Sequence, residues 1–108
     1  MWYKDGEGFA EIISYGNKET ENFDLNGKLA KGSKWANLKR MARRKLDILM
    51  HAHTTQDLKV PPNNKFEWLK DDLKGFASIR INDQWRIIFR INSNNQLEEV
   101  EVIDYHRG

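Results

Sequence analysis

The 108-residue chain contains no cysteine, and this absence excludes several kinds of protein. Without thiols it has no disulfide framework, no thiol nucleophile and no thiolate zinc site. No apolar run approaches the ~18 residues that a membrane-spanning helix needs. The N-terminus has no basic stretch followed by an apolar run, so we expect neither a signal peptide nor membrane association. A small secreted domain usually depends on disulfides, which makes the cytoplasm the expected location.

Acidic residues are missing from a long stretch of the chain. Residues 28–45 carry eight Lys and Arg side chains and no acid, although the net charge of the whole chain is only +2. Such segregation suggests a polyanionic partner, but a solvated helix face would show the same pattern. The side chains expected to form this partner surface are Lys39, Arg40, Arg43 and Arg44.

Two helices are predicted in the first half of the chain. The first runs from Asn17 to Leu25, and Asn26-Gly27 would end it. The second runs from residue 35 to about residue 52, with Ser33 as its expected N-cap. Its apolar side chains recur at helical spacing and predict one buried stripe, made of Trp35, Leu38, Ala42, Leu46, Leu49 and Met50.

After residue 75 the hydrophobic period changes from helical to alternating, which predicts an antiparallel sheet. Residues 76–81, 85–91 and 97–105 are the expected strands, and residues 10–15 are a candidate edge strand. Asn82-Asp83 should form a tight turn, because both residue types tolerate positive φ. Alternation places Arg86, Ile88 and Arg90 on one face of the middle strand. The expected fold is a single α+β domain, with two helices on one face of a sheet of three to four strands.

Cleavage of a phosphodiester without a metal requires cations for the phosphate and groups that transfer protons. The candidate proton-transfer groups are Tyr105 and His106, since a histidine titrates close to working pH. From the residues alone, salt bridges and an exposed terminus explain these side chains better than catalysis does. No carboxylate is obviously placed to act as a general base. The candidate cations are Lys70, Arg80, Arg86 and Arg90.

No metal or cofactor is expected. His51 and His53 stand two residues apart, which places them on different faces of a helix and leaves no third or fourth ligand nearby. The chain also has no glycine-rich phosphate loop.

Two segments carry a resemblance to a known family. LKDDLKGFASIRINDQWRIIFR at 69–90, followed by VEVIDYH at 100–106, resembles the HigB branch of the RelE-like toxins. The basic helix and the Pro-Pro-Asn-Asn loop before them fit the same pattern, so the resemblance covers about residues 11–106. It implies a compact sheet with two helices on one side and ribosome-dependent cleavage of messenger RNA. It also implies a HigA-like antitoxin, through which the toxin–antitoxin complex would bind operator DNA.

The resemblance assigns roles to particular residues. Lys70 matches the active-site lysine, Arg86 the phosphate-binding arginine and His106 the proton-transfer residue. Tyr105 would orient or stack on a base. The further RNA-binding or supporting candidates are Lys74, Arg80, Arg90 and Asp104.

The sequence departs from the family pattern at two places. Asp71 stands where the family usually has Gly after the lysine, which puts the position of Lys70 in question. About ten residues precede the first strand, and residues 1–9 are expected to be an N-terminal extension.

The main alternative is a non-catalytic nucleic-acid- or antitoxin-binding module on the same fold. Charge segregation fits both functions, but a binding module has no use for His106 as a proton donor. A DNA-binding protein is less favoured, because no helix-turn-helix spacing is present and the basic helix uses its apolar stripe for the core.

Overall fold

The computed structural model describes residues 11–105 as an antiparallel sheet with helices packed on one face. The helices are α1 (Lys18–Asn26) and α2 (Lys39–His51). The sheet order follows the sequence: β1 (Glu67–Trp68), β2 (Ala77–Arg80), β3 (Trp85–Ile91) and β4 (Leu97–Asp104). The predicted α+β fold is confirmed, whereas the extension expected at residues 1–9 lies outside the described residues.

The edge strand predicted at residues 10–15 is only partly correct. Isolated parallel bridges join Ile12 to Leu97 and Tyr15 to Val100, along the outer edge of β4. The backbone N–H of Ile13 donates to the Leu97 carbonyl at 2.8 Å, and that of Gly16 donates to the Val100 carbonyl at 2.8 Å. The segment therefore covers the outer edge of β4 without forming a continuous strand. Such a cover protects the unpaired backbone groups of an edge strand from pairing with another chain.

Helix α1 begins and ends where its sequence predicts. The side chain of Asn17 accepts a hydrogen bond from the backbone of Thr20 at 2.9 Å, which caps the first turn. Gly27 adopts φ 71° and donates its N–H to the Phe23 carbonyl, so it ends the helix in the left-handed conformation that glycine favours.

The start of α2 and one member of its stripe were predicted wrongly. A 3-10 turn (Ala36–Leu38) precedes the helix, so Ser33 does not cap it. Its hydroxyl instead accepts a long 3.4 Å hydrogen bond from the Trp35 backbone. Met50 is 40% exposed, because it lies one helical position beyond the buried line that ends at Leu49.

The core lies between α2 and the sheet. Leu46 and Leu49 are fully buried against the sheet side chains Ile79, Ile87 and Phe89. Trp35 packs edge-on against Phe23 at 5.1 Å between ring centroids, which ties the turn before α2 to α1.

Leu46→Ala is expected to lower the free energy of unfolding by about 2–5 kcal/mol, because it leaves a cavity in this core. Met50→Ala, on the exposed side of the same helix, should change it by less than about 0.5 kcal/mol. Urea unfolding of both variants measures the difference. Equal costs at the two positions would mean that α2 does not pack as described.

The turn between β2 and β3 forms by a different device from the one predicted. Neither Asn82 nor Asp83 takes a positive φ. The Asn82 side-chain oxygen accepts from the backbone N–H groups of Gln84 at 2.9 Å and Trp85 at 2.8 Å. An asparagine side chain can close a turn in this way without a left-handed residue.

Glu101 packs directly on Gly16 at the covered edge of the sheet. A Cβ at Gly16 would lie 2.8 Å from the Cβ of Glu101, so any larger residue would force one of the two segments to shift. A carboxylate oxygen of Glu101 accepts from the Asn17 side chain at 3.2 Å. Burial, assisted by the charge of Glu99, raises the pKa of Glu101.

A raised carboxyl pKa in the folded state means that ionised Glu101 opposes folding above that pKa. The penalty disappears as the pH falls through the folded pKa to the ordinary pKa of a glutamate. Glu101→Gln should therefore raise Tm at pH 7 by about 1–3 °C, a small effect because solvent screens the charge. The difference from the wild type should vanish near pH 4. Glu98→Gln is the control for removing any negative charge, and an equal gain there would contradict the assignment to Glu101.

Candidate functional site

A polar cleft opens on the face of the sheet that the helices leave uncovered. Its volume is about 650 Å³, and both sides of the β2–β3 turn contribute to it. It brings together residues that are far apart in the sequence, from the loop before β1 to the end of β4. The lining residues are Lys65, Glu67, Arg80, Asn82, Asp83, Arg86 and Tyr105.

Arg86 is fixed at the base of the cleft. Its side chain is only about 10% exposed. The Nε group donates to the hydroxyl of Ser78 on β2 at 2.7 Å, and Nη2 donates to the backbone carbonyl of Lys65 at 2.5 Å. Because these bonds come from two different elements, they define both the position and the tilt of the guanidinium plane. A preorganised cation of this kind costs little reorganisation when it meets negative charge.

A second arginine stands directly opposite Arg86. Arg80 on β2 is its cross-strand partner in the β2–β3 register, so both side chains leave the same face of the sheet. Like charges directly opposite one another are destabilising in a sheet. The Asp83 carboxylate offsets this by forming an ion pair with Arg80 at the rim of the cleft. An entering anion would find two guanidinium groups on adjacent strands.

Glu67 supplies a carboxylate to the cleft, which the sequence did not reveal. Its Oε1 lies 3.9 Å from Nη2 of Arg86, and its side chain is 31% exposed. The sequence alone did not place a carboxylate beside Arg86, and the structure places Glu67 there. One signal was available: Glu67 separates two aromatic residues, Phe66 and Trp68, and alternation along a strand sends it to the opposite face.

Tyr105 closes the other side of the cleft. Its ring lies 5.6 Å from the guanidinium carbon of Arg86, within the range of a cation–π contact. The structure thus brings two of the predicted site residues, Tyr105 and Arg86, into contact. His106, the predicted proton donor, lies outside the described residues.

A buried amide holds the loop that carries Lys65 and Glu67. Asn64 is fully buried, and its Nδ2 donates to the carbonyls of Leu58 and Val60 at 3.1 Å each. Its Oδ1 accepts from the ammonium of Lys45 on α2 at 2.6 Å. Lys65 then adopts the left-handed region with φ 48°. Asn64 therefore joins the helix, the proline loop and the cleft.

Two of the predicted lysines do not reach the cleft. Lys70 and Lys74 are exposed residues on either side of a 3-10 turn (Asp71–Leu73), and neither residue lines the cleft. Between them, Asp71 has φ 55°, a conformation that glycine adopts without strain and aspartate tolerates. Asp71, which stands where the family usually has glycine, thus takes a backbone conformation that glycine would also adopt, and it adds a negative charge beside Lys70.

Arg90 and Asp104 also lie away from the cleft. The guanidinium of Arg90 covers the ring of Phe76 at 5.1 Å and approaches Glu99 at 3.7 Å. Asp104 accepts a hydrogen bond from the Gln84 side chain at 3.1 Å. Trp68 is 55% exposed in edge contact with Phe66, and it too lies off the cleft. Alternation placed Arg86 and Arg90 correctly on one face, but only Arg86 reaches the cleft.

The basic surface expected on α2 is smaller than predicted. Lys39, Arg40 and Arg44 are exposed. Arg43 instead pairs with Asp24 at 2.6 Å and Asp47 at 3.1 Å. Although burial opposes its charge, Asp24 and Asp47 raise the pKa of Arg43. Arg43 thus fastens α2 to α1, whereas the other three side chains of the predicted surface extend into solvent.

Within residues 11–105 no group of three or more His, Asp or Glu side chains could hold a metal ion. The same part of the chain contains no helix with the length and apolar composition needed to cross a membrane.

Comparison with known proteins identifies the family. The profile described as the RelE-like toxin of the type II toxin–antitoxin system HigB matches residues 21–106. The chain belongs to this HigB-like toxin family. It is 53% identical over 47 residues to Toxin HigB-1 of Vibrio cholerae serotype O1, covering 44% of this chain and 50% of that protein. The chain spans only about half the length of the curated relatives that it matches.

Solved structures share the fold of this chain. YafQ from E. coli BL21(DE3) aligns with a TM-score of 0.57 at 14% identity, covering 87% of this chain and 91% of that one. The YoeB–YefM toxin–antitoxin complex from Staphylococcus aureus aligns with a TM-score of 0.51 at 18% identity, covering 90% and 97%. At these identities the likeness concerns the fold alone. The HigB-like chain thus has the α+β architecture of the RelE-like toxins.

Proposed function

We propose that this HigB-like toxin is an endoribonuclease that cleaves translated messenger RNA on the ribosome. The observation that carries the proposal is the cleft in which Arg80 and Arg86 stand opposite each other beside the carboxylate of Glu67. Two guanidinium groups suit a phosphodiester, and a carboxylate beside them suits proton abstraction.

The proposed reaction is attack by the RNA 2′-hydroxyl on the adjacent phosphorus. Glu67 accepts the 2′-hydroxyl proton, a P–O bond forms to the 2′-oxygen, and the P–O bond to the 5′-oxygen breaks. Arg86 and Arg80 stabilise the charge that develops on the phosphate. His106 donates a proton to the leaving 5′-oxygen, so the products are a 2′,3′-cyclic phosphate and a 5′-hydroxyl.

Asp83 must leave Arg80 before the phosphate binds both arginines. This exchange, together with the open form of the cleft, favours a reaction that depends on external positioning of the substrate. The ribosome would supply that positioning, which is worth a large part of the rate in oriented reactions. The proposed place of action is therefore the cytoplasm.

The proposed partner that neutralises the toxin is a HigA-like antitoxin, through which the complex would bind operator DNA. The likeness in fold to a protein solved with its antitoxin supports a partner of this kind. The exposed cations Lys39, Arg40 and Arg44 offer an acidic antitoxin, or ribosomal RNA, a surface of opposite charge.

The function is tested with purified protein, ribosomes and a translated message. The wild type should cut the message, and His106→Ala should lower the rate by about 10²–10⁴ as loss of a general acid does. A binding module on the same fold would instead bind without cutting. Full activity in His106→Ala would remove the acid assignment, and efficient cutting of naked RNA would contradict dependence on the ribosome.

A further inference from the structure

A second groove adjoins the cleft on the side of α2. Its volume is about 240 Å³. That is smaller than the ~300 Å³ of pockets that enclose a drug-sized ligand, so the groove accommodates only part of a larger ligand. Its apolar walls come from Met41, Ile48 and Pro61. Arg80 and Asn82 line both the groove and the cleft, so the two spaces adjoin at the β2–β3 turn. A ligand long enough to pass Arg80 and Asn82 reaches both.

A buried cation lines this groove. Lys45 is only 6% exposed, and its ammonium donates to the neutral amide of Asn64 at 2.6 Å. No carboxylate within residues 11–105 forms an ion pair with it. An ammonium has three donors, and a buried charge ordinarily has a compensating acceptor. The structure therefore offers a built donor to an acceptor that enters the groove.

The electrostatic surroundings favour the same kind of ligand. Burial, followed by the charges of Arg44 and Arg80, lowers the pKa of Lys45. Arg44 lies on the groove wall one helical turn from Met41, and Arg80 lies at the junction with the cleft. The groove thus combines apolar walls with three cationic side chains. This composition suits a nucleotide, which has a flat apolar face, carbonyl acceptors and a phosphate.

We propose that this groove is a second RNA subsite, occupied by the nucleotide next to the scissile phosphate. The base lies between Met41, Ile48 and Pro61 with an acceptor towards Lys45, and its phosphate lies between Arg44 and Arg80. The inference rests on the proposed function, since it takes the cleft as the place of the scissile phosphate. It adds a specificity element, because Lys45 favours bases that present a carbonyl to it.

The test uses NMR to compare how tightly two non-cleavable probes bind to the full chain at low salt. One is a nucleoside 3′,5′-bisphosphate, which fills the cleft alone, and the other is a 2′-O-methylated trinucleotide. The trinucleotide should bind about tenfold more tightly. Met41→Ala and Arg44→Ala should each remove most of that gain. Met50→Ala and Lys59→Ala, exposed residues that line neither space, are the matched controls.

The two variants should differ in their response to salt. Arg44→Ala should reduce the slope of log K against log salt by about 0.7, the value for one phosphate contact on a single strand, whereas Met41→Ala should leave it unchanged. Lys45→Met should lose discrimination among trinucleotides of different base, provided its Tm shows that it folds.

Several results would overturn the subsite. The first is a gain in trinucleotide affinity that survives both substitutions. The second is a set of NMR chemical-shift changes that is confined to residues of the cleft. The third is failure of the trinucleotide to bind more tightly than the bisphosphate. A different result would contradict the proposed function. If Arg86→Ala left both bisphosphate binding and ribosome-dependent cutting unchanged, the cleft would not be the place of the scissile phosphate.

Discussion

Arg86→Ala is expected to lower the rate of ribosome-dependent cleavage by about 10²–10³, the usual effect of removing one preorganised donor to transition-state charge. The hydrogen bonds to Ser78 and to the Lys65 carbonyl fix the guanidinium before the substrate arrives. A water molecule in the space left by the alanine variant would be neither charged nor held in this way. Arg86→Lys should recover little, since an ammonium cannot reproduce the planar fork. The measurement is the single-turnover rate of cutting a defined codon.

Arg90→Ala is the matched control, because Arg90 leaves the same face of the same strand but covers Phe76 outside the cleft. We expect it to retain most of the wild-type rate. Thermal unfolding and antitoxin binding should show that both variants fold. Equal losses in the two variants would mean that general positive charge on this face, and not the cleft, determines the rate.

Glu67→Gln is expected to reduce cleavage by about 10²–10⁴, since the amide keeps the shape of the side chain but cannot accept the 2′-hydroxyl proton. Binding of RNA to the ribosome-bound toxin should change little. Asp83→Asn, which alters the other carboxylate of the cleft, should maintain or raise the rate because it releases Arg80 from its ion pair. Loss of activity in Asp83→Asn with retention in Glu67→Gln would reverse the assignment of the base.

The sequence predicts the regular elements well because their signals are local. Asn17 and Gly27 mark the ends of α1 by their own chemistry, and alternation places β3 over the same residues that the structure gives. The start of α2 was misplaced because burial of Trp35 against Phe23, a contact between distant segments, favours a 3-10 turn there.

The cleft was only half predictable for the same reason. Arg86 and Tyr105 carry a family pattern. Arg86 lies on β3 and Tyr105 directly follows β4, which pairs with β3, so their approach follows from the sheet. Glu67 and Lys65 lie in or beside a segment with little regular structure, and their positions depend on Asn64, whose partners come from α2 and from the loop before it. Periodicity carries no information about such contacts. It also cannot separate Arg86 from Arg90, which differ only in their cross-strand neighbours.

The hydrogen bonds of Asn64 have a consequence for how the toxin moves. A segment that is mainly loop would ordinarily open by local fluctuation, and its amides would exchange with solvent long before the domain unfolds. Here the interior amide of Asn64 joins residues 58–64 to α2, so releasing the segment leaves the buried ammonium of Lys45 without its acceptor. We therefore expect the wall that carries Lys65 and Glu67 to open together with the helix. The base of the cleft is then held by the core, while Arg80 at its rim exchanges partners.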